Sequence, residues 1–224
     1  MFENREKAGE ALTEKLKACS GPDTIIYALP RGGVPVAAPV AIGLEAPLSL
    51  LFVKKICAPG HAELAIGATV DGVEPIRILH DEVIAALHVS DLYVSAESET
   101  ALNEIERQRA RYSGLYARVT PKGKTVIIVD DGLATGATME VAIEALKQQG
   151  ARKIIVAVPV ASSETISRFE TLADEVVCVS VPSQFWSVGE HYSHFPQLSD
   201  ADVMEILNEL SSDGDGPSLV RRRA

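Results

Sequence analysis

Two adjacent carboxylates, Asp130 and Asp131, open the run Asp130-Asp131-Gly132-Leu133-Ala134-Thr135-Gly136-Ala137-Thr138. Ionised carboxylates only accept hydrogen bonds, so a side-by-side pair suits the vicinal hydroxyls of a sugar. Gly132 and Gly136 leave room for backbone N–H groups to converge, while Thr135 and Thr138 offer hydroxyl donors. A helix starting at the end of this run brings the partial positive charge of its N-terminus to the same place. The combination is a cradle for one phosphate next to an acceptor for sugar hydroxyls. It requires loop amides that face a common hollow and carboxylates that are not consumed by internal ion pairs.

A strand ending in Asp-Asp has two other common uses. A receiver domain needs a phosphorylatable Asp at the end of a later strand, whereas Asp174 precedes its strand. A nucleotide hydrolase needs GxxxxGK[ST], which the chain lacks. A second anion site is suggested by Leu29-Pro30-Arg31-Gly32-Gly33, again between an apolar run and a helical one, with Arg31 supplying a charged fork. His191 and His194 form an HxxH without further ligands in view, which reads as packing rather than metal binding. Phe185, Trp186, Tyr192 and Phe195 crowd one irregular stretch that can line a pocket for a planar base.

The elements that position these residues follow from periodicity. Helical spacing marks 4–18, 34–42, 81–87, 97–112, 138–149 and 164–172; short apolar runs mark strands at 25–29, 48–53, 125–129, 154–158 and 176–181. Lys54 and Lys55 sit at the end of the second run, and 56–79 reads as a hairpin or a long mobile loop. Strand, helix and strand at steps of about 30 residues are what right-handed crossovers require. The fold class is therefore α/β, a doubly wound parallel sheet.

The chain has 224 residues, of which 46% are hydrophobic and only 5% aromatic, enough for one main domain rich in Val, Ile and Ala. A formal net charge of -10 argues against a nucleic-acid partner, and the one basic cluster, Arg221 to Arg223, lies in a polar tail. Cys19, Cys57 and Cys178 are odd in number and scattered, which fits a reducing cytosol better than a disulfide framework or a zinc site. No apolar run approaches the length of a membrane helix, so the expectation is a soluble cytoplasmic protein with no membrane partner. The expected division is one domain over 1–210, with a hood from the N-terminal helix and about 182–200, and a disordered tail over 211–224.

The string VIIVDDGLATGAT, residues 126–138, resembles the phosphoribosyl pyrophosphate (PRPP) signature of type I phosphoribosyltransferases, and its ATGAT part is similar to that of the adenine enzymes. The resemblance implies a Rossmann-like sheet with a small variable hood. It assigns Asp130 and Asp131 to the ribose hydroxyls, and Ala134, Thr135, Gly136, Ala137 and Thr138 to the 5-phosphate. Arg31, Gly32 and Gly33 become the pyrophosphate loop. Lys54, Lys55 and His61 become the basic residues of a loop closing over it, with Asp130, Asp131 and Lys55 as the catalytic set. It further implies Mg2+ bound mainly through PRPP, no protein metal site, and a homodimer paired around the sheet. The reaction would be attack of a nitrogen acceptor, such as a nucleobase, on the anomeric carbon with release of pyrophosphate. Enzymes acting on 6-oxopurines carry an Asp base where this chain has Ala134, so adenine, orotate-like or non-base acceptors remain. A regulator that kept the fold, lost the reaction and binds PRPP or a nucleotide as a signal is the alternative.

Overall fold

The computed structural model describes residues 1–72 and 75–212. The first half of the chain contains α1 (Arg5–Leu16), β1 (Thr24–Ala28), α2 (Gly33–Gly43), β2 (Leu48–Leu50), β3 (Val53–Ala58), β4 (His61–Val70), β5 (Ile76–Leu79), α3 (Asp81–Ala86) and α4 (Asp91–Arg111). The second half contains β6 (Thr125–Val129), α5 (Ala137–Gln148), β7 (Lys153–Val160), α6 (Ser163–Phe169), β8 (Glu175–Ser180) and α7 (Asp200–Ser212).

Five strands form one sheet in the order β2-β1-β6-β7-β8, and every neighbouring pair is parallel. The strand residues alternate between two cores, as a pleated strand covered on both faces must. Ile26, Ile127, Val129 and Ile155 pack with α1 and α2 on one side, while Ile25, Val126, Ile128 and Ile154 pack with α5 on the other. Connections run outward from β1 to β2 in one direction and from β6 through β7 to β8 in the other, so the order reverses between β1 and β6. That reversal opens a crevice beyond the carboxyl ends of these two strands.

One choice between sequence expectations and three departures from them matter for the site. Of the two expectations for 56–79, the hairpin holds and gains a third strand: β3, β4 and β5 form a three-stranded antiparallel sheet turning at Pro59-Gly60, where Gly60 has φ +73°. The 48–53 run is not one strand. Leu51 N still donates to Ala28 O at the edge of the large sheet, but Val53 already pairs with Val70, so Lys54 and Lys55 lie inside β3 rather than at the end of β2. Ser90 caps α4 by accepting from Tyr93 N, starting that helix six residues before the expected 97, in a first turn where Leu92 is exposed and so breaks the apolar stripe. Finally, α7 was not anticipated. Ser199 and Asp202 bond reciprocally at its start, and Val203 and Leu207 are fully buried in the α1–α2 core. Ser211 and Ser212 belong to this helix, and the rest of the expected tail lies outside the described residues. Among those residues, no helix is long and apolar enough to cross a membrane.

Candidate functional site

Asp130 and Asp131 end β6 at the mouth of the crevice. Asp130 Oδ1 accepts from Asp131 N at 2.9 Å. Asp131 Oδ2 accepts from Arg5 Nε at 2.8 Å, across an almost fully enclosed contact. The requirement that both carboxylates stand clear of ion pairs is thus met by Asp130 and not by Asp131. One oxygen on each, Asp130 Oδ2 and Asp131 Oδ1, accepts no hydrogen bond among the described residues. Burial pushes Asp130 well above the ordinary carboxylate range, and the neighbouring charge of Asp131 adds to it. Burial raises Asp131 as well, with Arg5 opposing.

The loop that follows is held from outside. Thr165 Oγ1 donates to Ala134 O at 3.0 Å, and Arg168 Nη2 donates to Thr135 O. Both peptides are trans, so carbonyls drawn toward α6 point the N–H groups of Thr135 and Gly136 the opposite way. Gly136 precedes α5 with φ +71°, and Glu140 N is the first amide to find a partner there, bonding Gly136 O. The amides from Ala134 to Met139 have no intramolecular acceptor among the described residues, as an anion-binding helix start requires.

The turn after β1 lies directly beside this pair. Gly33 N bonds Leu29 O, and the Pro30–Arg31 peptide is cis. Gly33 backs onto Val129: a β-carbon there would lie 2.5 Å from its carbonyl oxygen. Arg31 is exposed, 3.8 Å from Asp200. Lys54 lies 3.5 Å from Glu104 on α4, and burial first, then the charges of Arg107 and Arg31, lower its pKa. Lys55 is exposed and, with Lys54, Thr100, Asn103 and Arg107, lines an open groove of about 520 Å³. His61 is not brought to the lysines. It pairs with Ala58 at the hairpin turn, about 13 Å along the strand from Lys54.

Three residues at the site escaped the sequence reading. Arg5 falls in register with Ala8, Leu12 and Leu16, and a charge on the buried stripe of a helix is the signal that was there to be used. Tyr192 OH donates to Asp131 O at 2.6 Å, a contact not contained in its expected place as a pocket-lining aromatic of the 185–195 stretch. Arg168 carried no local signal, because its partner lies 33 residues away.

A family model described as the phosphoribosyl transferase domain matches residues 3–194, from the helix bearing Arg5 to the aromatic segment. The chain belongs to the phosphoribosyl transferase domain family. Within this family, a Mycobacterium tuberculosis protein provisionally named a phosphoribosyl transferase is 38% identical over 213 residues, covering 95% of this chain and 48% of that protein. The chain therefore spans about half the length of that relative. A ribose-phosphate pyrophosphokinase of Pyrococcus furiosus is 38% identical over 111 residues, 46% of this chain and 36% of that protein. Among solved structures, one from Thermus thermophilus matches with a TM-score of 0.79 and 38% identity, covering 94% of this phosphoribosyl transferase family member and 99% of the other chain.

Proposed function

We propose that this chain binds PRPP across the β1–β6 crevice and transfers its 5-phosphoribosyl group to a nitrogen acceptor, releasing pyrophosphate. The observation that carries the reading is the pairing of one uncommitted oxygen on each of Asp130 and Asp131 with the unpartnered amides of 134–139. Vicinal ribose hydroxyls donate to the former while the 5-phosphate accepts from the latter, with Thr135 and Thr138 hydroxyls beside it. Gly32 and Gly33 let the first loop approach the sugar, and Arg31 and Lys54 supply charge for the pyrophosphate. An electron-deficient anomeric carbon then forms above fixed carboxylates, which favour it by orientation and by their negative field.

Oxygen donors of this kind suit Mg2+. The ion would be held mainly by the oxygens of PRPP itself, with few direct protein ligands; among the described residues no group of three or more His, Cys, Asp or Glu is arranged to hold an ion. When bound, it neutralises the leaving pyrophosphate.

For the acceptor, Ala134 places no carboxylate base in the loop, which disfavours 6-oxopurines. The hood formed by α1 and the aromatic segment is proposed as the acceptor pocket. Homodimerisation belongs to the same proposal and is checked by light scattering.

The experiment is a turnover assay with Mg-PRPP and a panel of adenine, orotate-like and non-base acceptors, following pyrophosphate. Release with at least one acceptor is expected. PRPP binding without release for any of them would replace the enzyme with a PRPP sensor, and no PRPP binding would overturn both.

A further inference from the structure

We propose that Arg5 is the positioning residue of the ribose site, holding Asp131 by one oxygen so that the other stays open to a sugar hydroxyl. The inference rests on the PRPP reading above. A guanidinium facing a buried carboxylate frequently engages both oxygens in a fork. Arg5 instead gives Nε to Asp131 Oδ2 and directs Nη1 to Pro196 O at 2.9 Å, leaving Asp131 Oδ1 uncovered.

The guanidinium has little freedom to do otherwise. Arg5 is 8% exposed, and its Cζ lies 3.7 Å from the centre of the Phe195 ring. Phe195 stacks on Tyr192 at 4.8 Å, and Tyr192 reaches back to the carbonyl of Asp131. Asp131 is thereby gripped at its side chain and at its backbone by two residues joined through one aromatic ring. No other cation among the described residues touches the acidic pair. Two adjacent enclosed carboxylates do not both ionise readily without a positive neighbour. Arg5 supplies that charge from the far end of the chain, 126 residues from its partner.

The rival explanation is a staple that fastens α1 to the sheet edge. It predicts lower stability on mutation but no change in how ligand affinity depends on pH. The test is calorimetric titration of the full chain with Mg-PRPP, from about pH 5 to about pH 8, for the wild type, Arg5→Ala and Arg5→Lys. Comparing variants cancels the titration of the ligand's own phosphates.

Affinity is expected to rise with pH as the acceptor carboxylates ionise. Arg5→Ala should move that rise upward by about one unit or more, with roughly tenfold weaker binding below it. Arg5→Lys should keep the wild-type midpoint and bind more weakly, since an ammonium cannot hold Asp131, Pro196 O and the ring together. Profiles for Arg5→Ala that superimpose on the wild type overturn the proposal. If Arg5→Ala does not fold, undiminished affinity in Arg5→Lys overturns it instead. Failure of the wild type to bind PRPP at any pH would instead remove the underlying reading, and this proposal with it.

Discussion

A β-carbon built on Gly32 would stand 2.2 Å from Asp131 Oδ2, so the turn after β1 and the acidic pair after β6 share one surface. Any side chain at position 32 must displace the carboxylate or the turn. Gly32→Ala is expected to cost about 1–3 kcal/mol in urea denaturation, as overpacked sites do. It should also weaken PRPP binding at least about tenfold, because it drives Asp131 from Arg5. Wild-type affinity in a calorimetric titration would show that the placement of Asp131 is not what the ligand requires.

Asp130 is expected to oppose folding while the crevice holds no ligand. Its carboxyl is pushed well above the ordinary range by burial and by Asp131. Between the unfolded value of about 3.9 and that raised value, the folded state keeps a proton that the unfolded chain has released. Stability therefore falls as pH rises through this window, and the penalty is complete above the folded pKa. Asp130→Asn cannot ionise, yet it still offers an oxygen to Asp131 N. It should melt above the wild type at neutral pH, with the gap closing toward about pH 4, while PRPP binding drops more than about tenfold. A Tm difference that ignores pH would refute the titration argument.

Arg168 holds the Thr135 carbonyl outward while remaining half exposed. Its loss should leave stability nearly unchanged but free the loop peptide to rotate. Arg168→Ala is expected to weaken PRPP binding about five- to tenfold, the scale of one ordinary hydrogen bond, because the donor is half exposed and acts through the loop peptide. A melting temperature that drops by many degrees would mark Arg168 as a structural residue instead.

Helix α7 completes the core rather than decorating it. Leu207 is fully buried against α2, and Asp200 at the helix start bonds Arg111 and, at 2.6 Å, the Tyr112 hydroxyl. Leu207→Ala should cost about 2–5 kcal/mol, measured by denaturant unfolding. A cost under about 1 kcal/mol would indicate a helix that docks only loosely.

Legibility in the sequence tracked the range of the interaction. The β6 loop was readable because strand, acidic pair, glycines and helix start are contiguous, and the turn after β1 for the same reason. The 56–79 segment was readable only as far as two alternatives, since its Gly and Pro residues signal turns equally well in a mobile loop and in a hairpin; the antiparallel pairing of β3 with β4 decides between them. For Lys54 and Lys55 the resemblance put Lys55 in the catalytic set; among the described residues the ion pair with Glu104 falls to Lys54.

By itself, the sequence determined the α/β class, the βαβ rhythm from 125 onward and the chemistry of the acidic loop. These depend on periodicity and on residues within one turn of each other. Tertiary structure alone decided that β1 lies beside β6, that His61 ends up away from the lysines, and that Arg5 meets Asp131. Such contacts join segments whose local preferences say nothing of one another; they form when the apolar faces of α1 and the sheet are buried together, which encloses the Arg5 guanidinium beside a carboxylate that can pair with it.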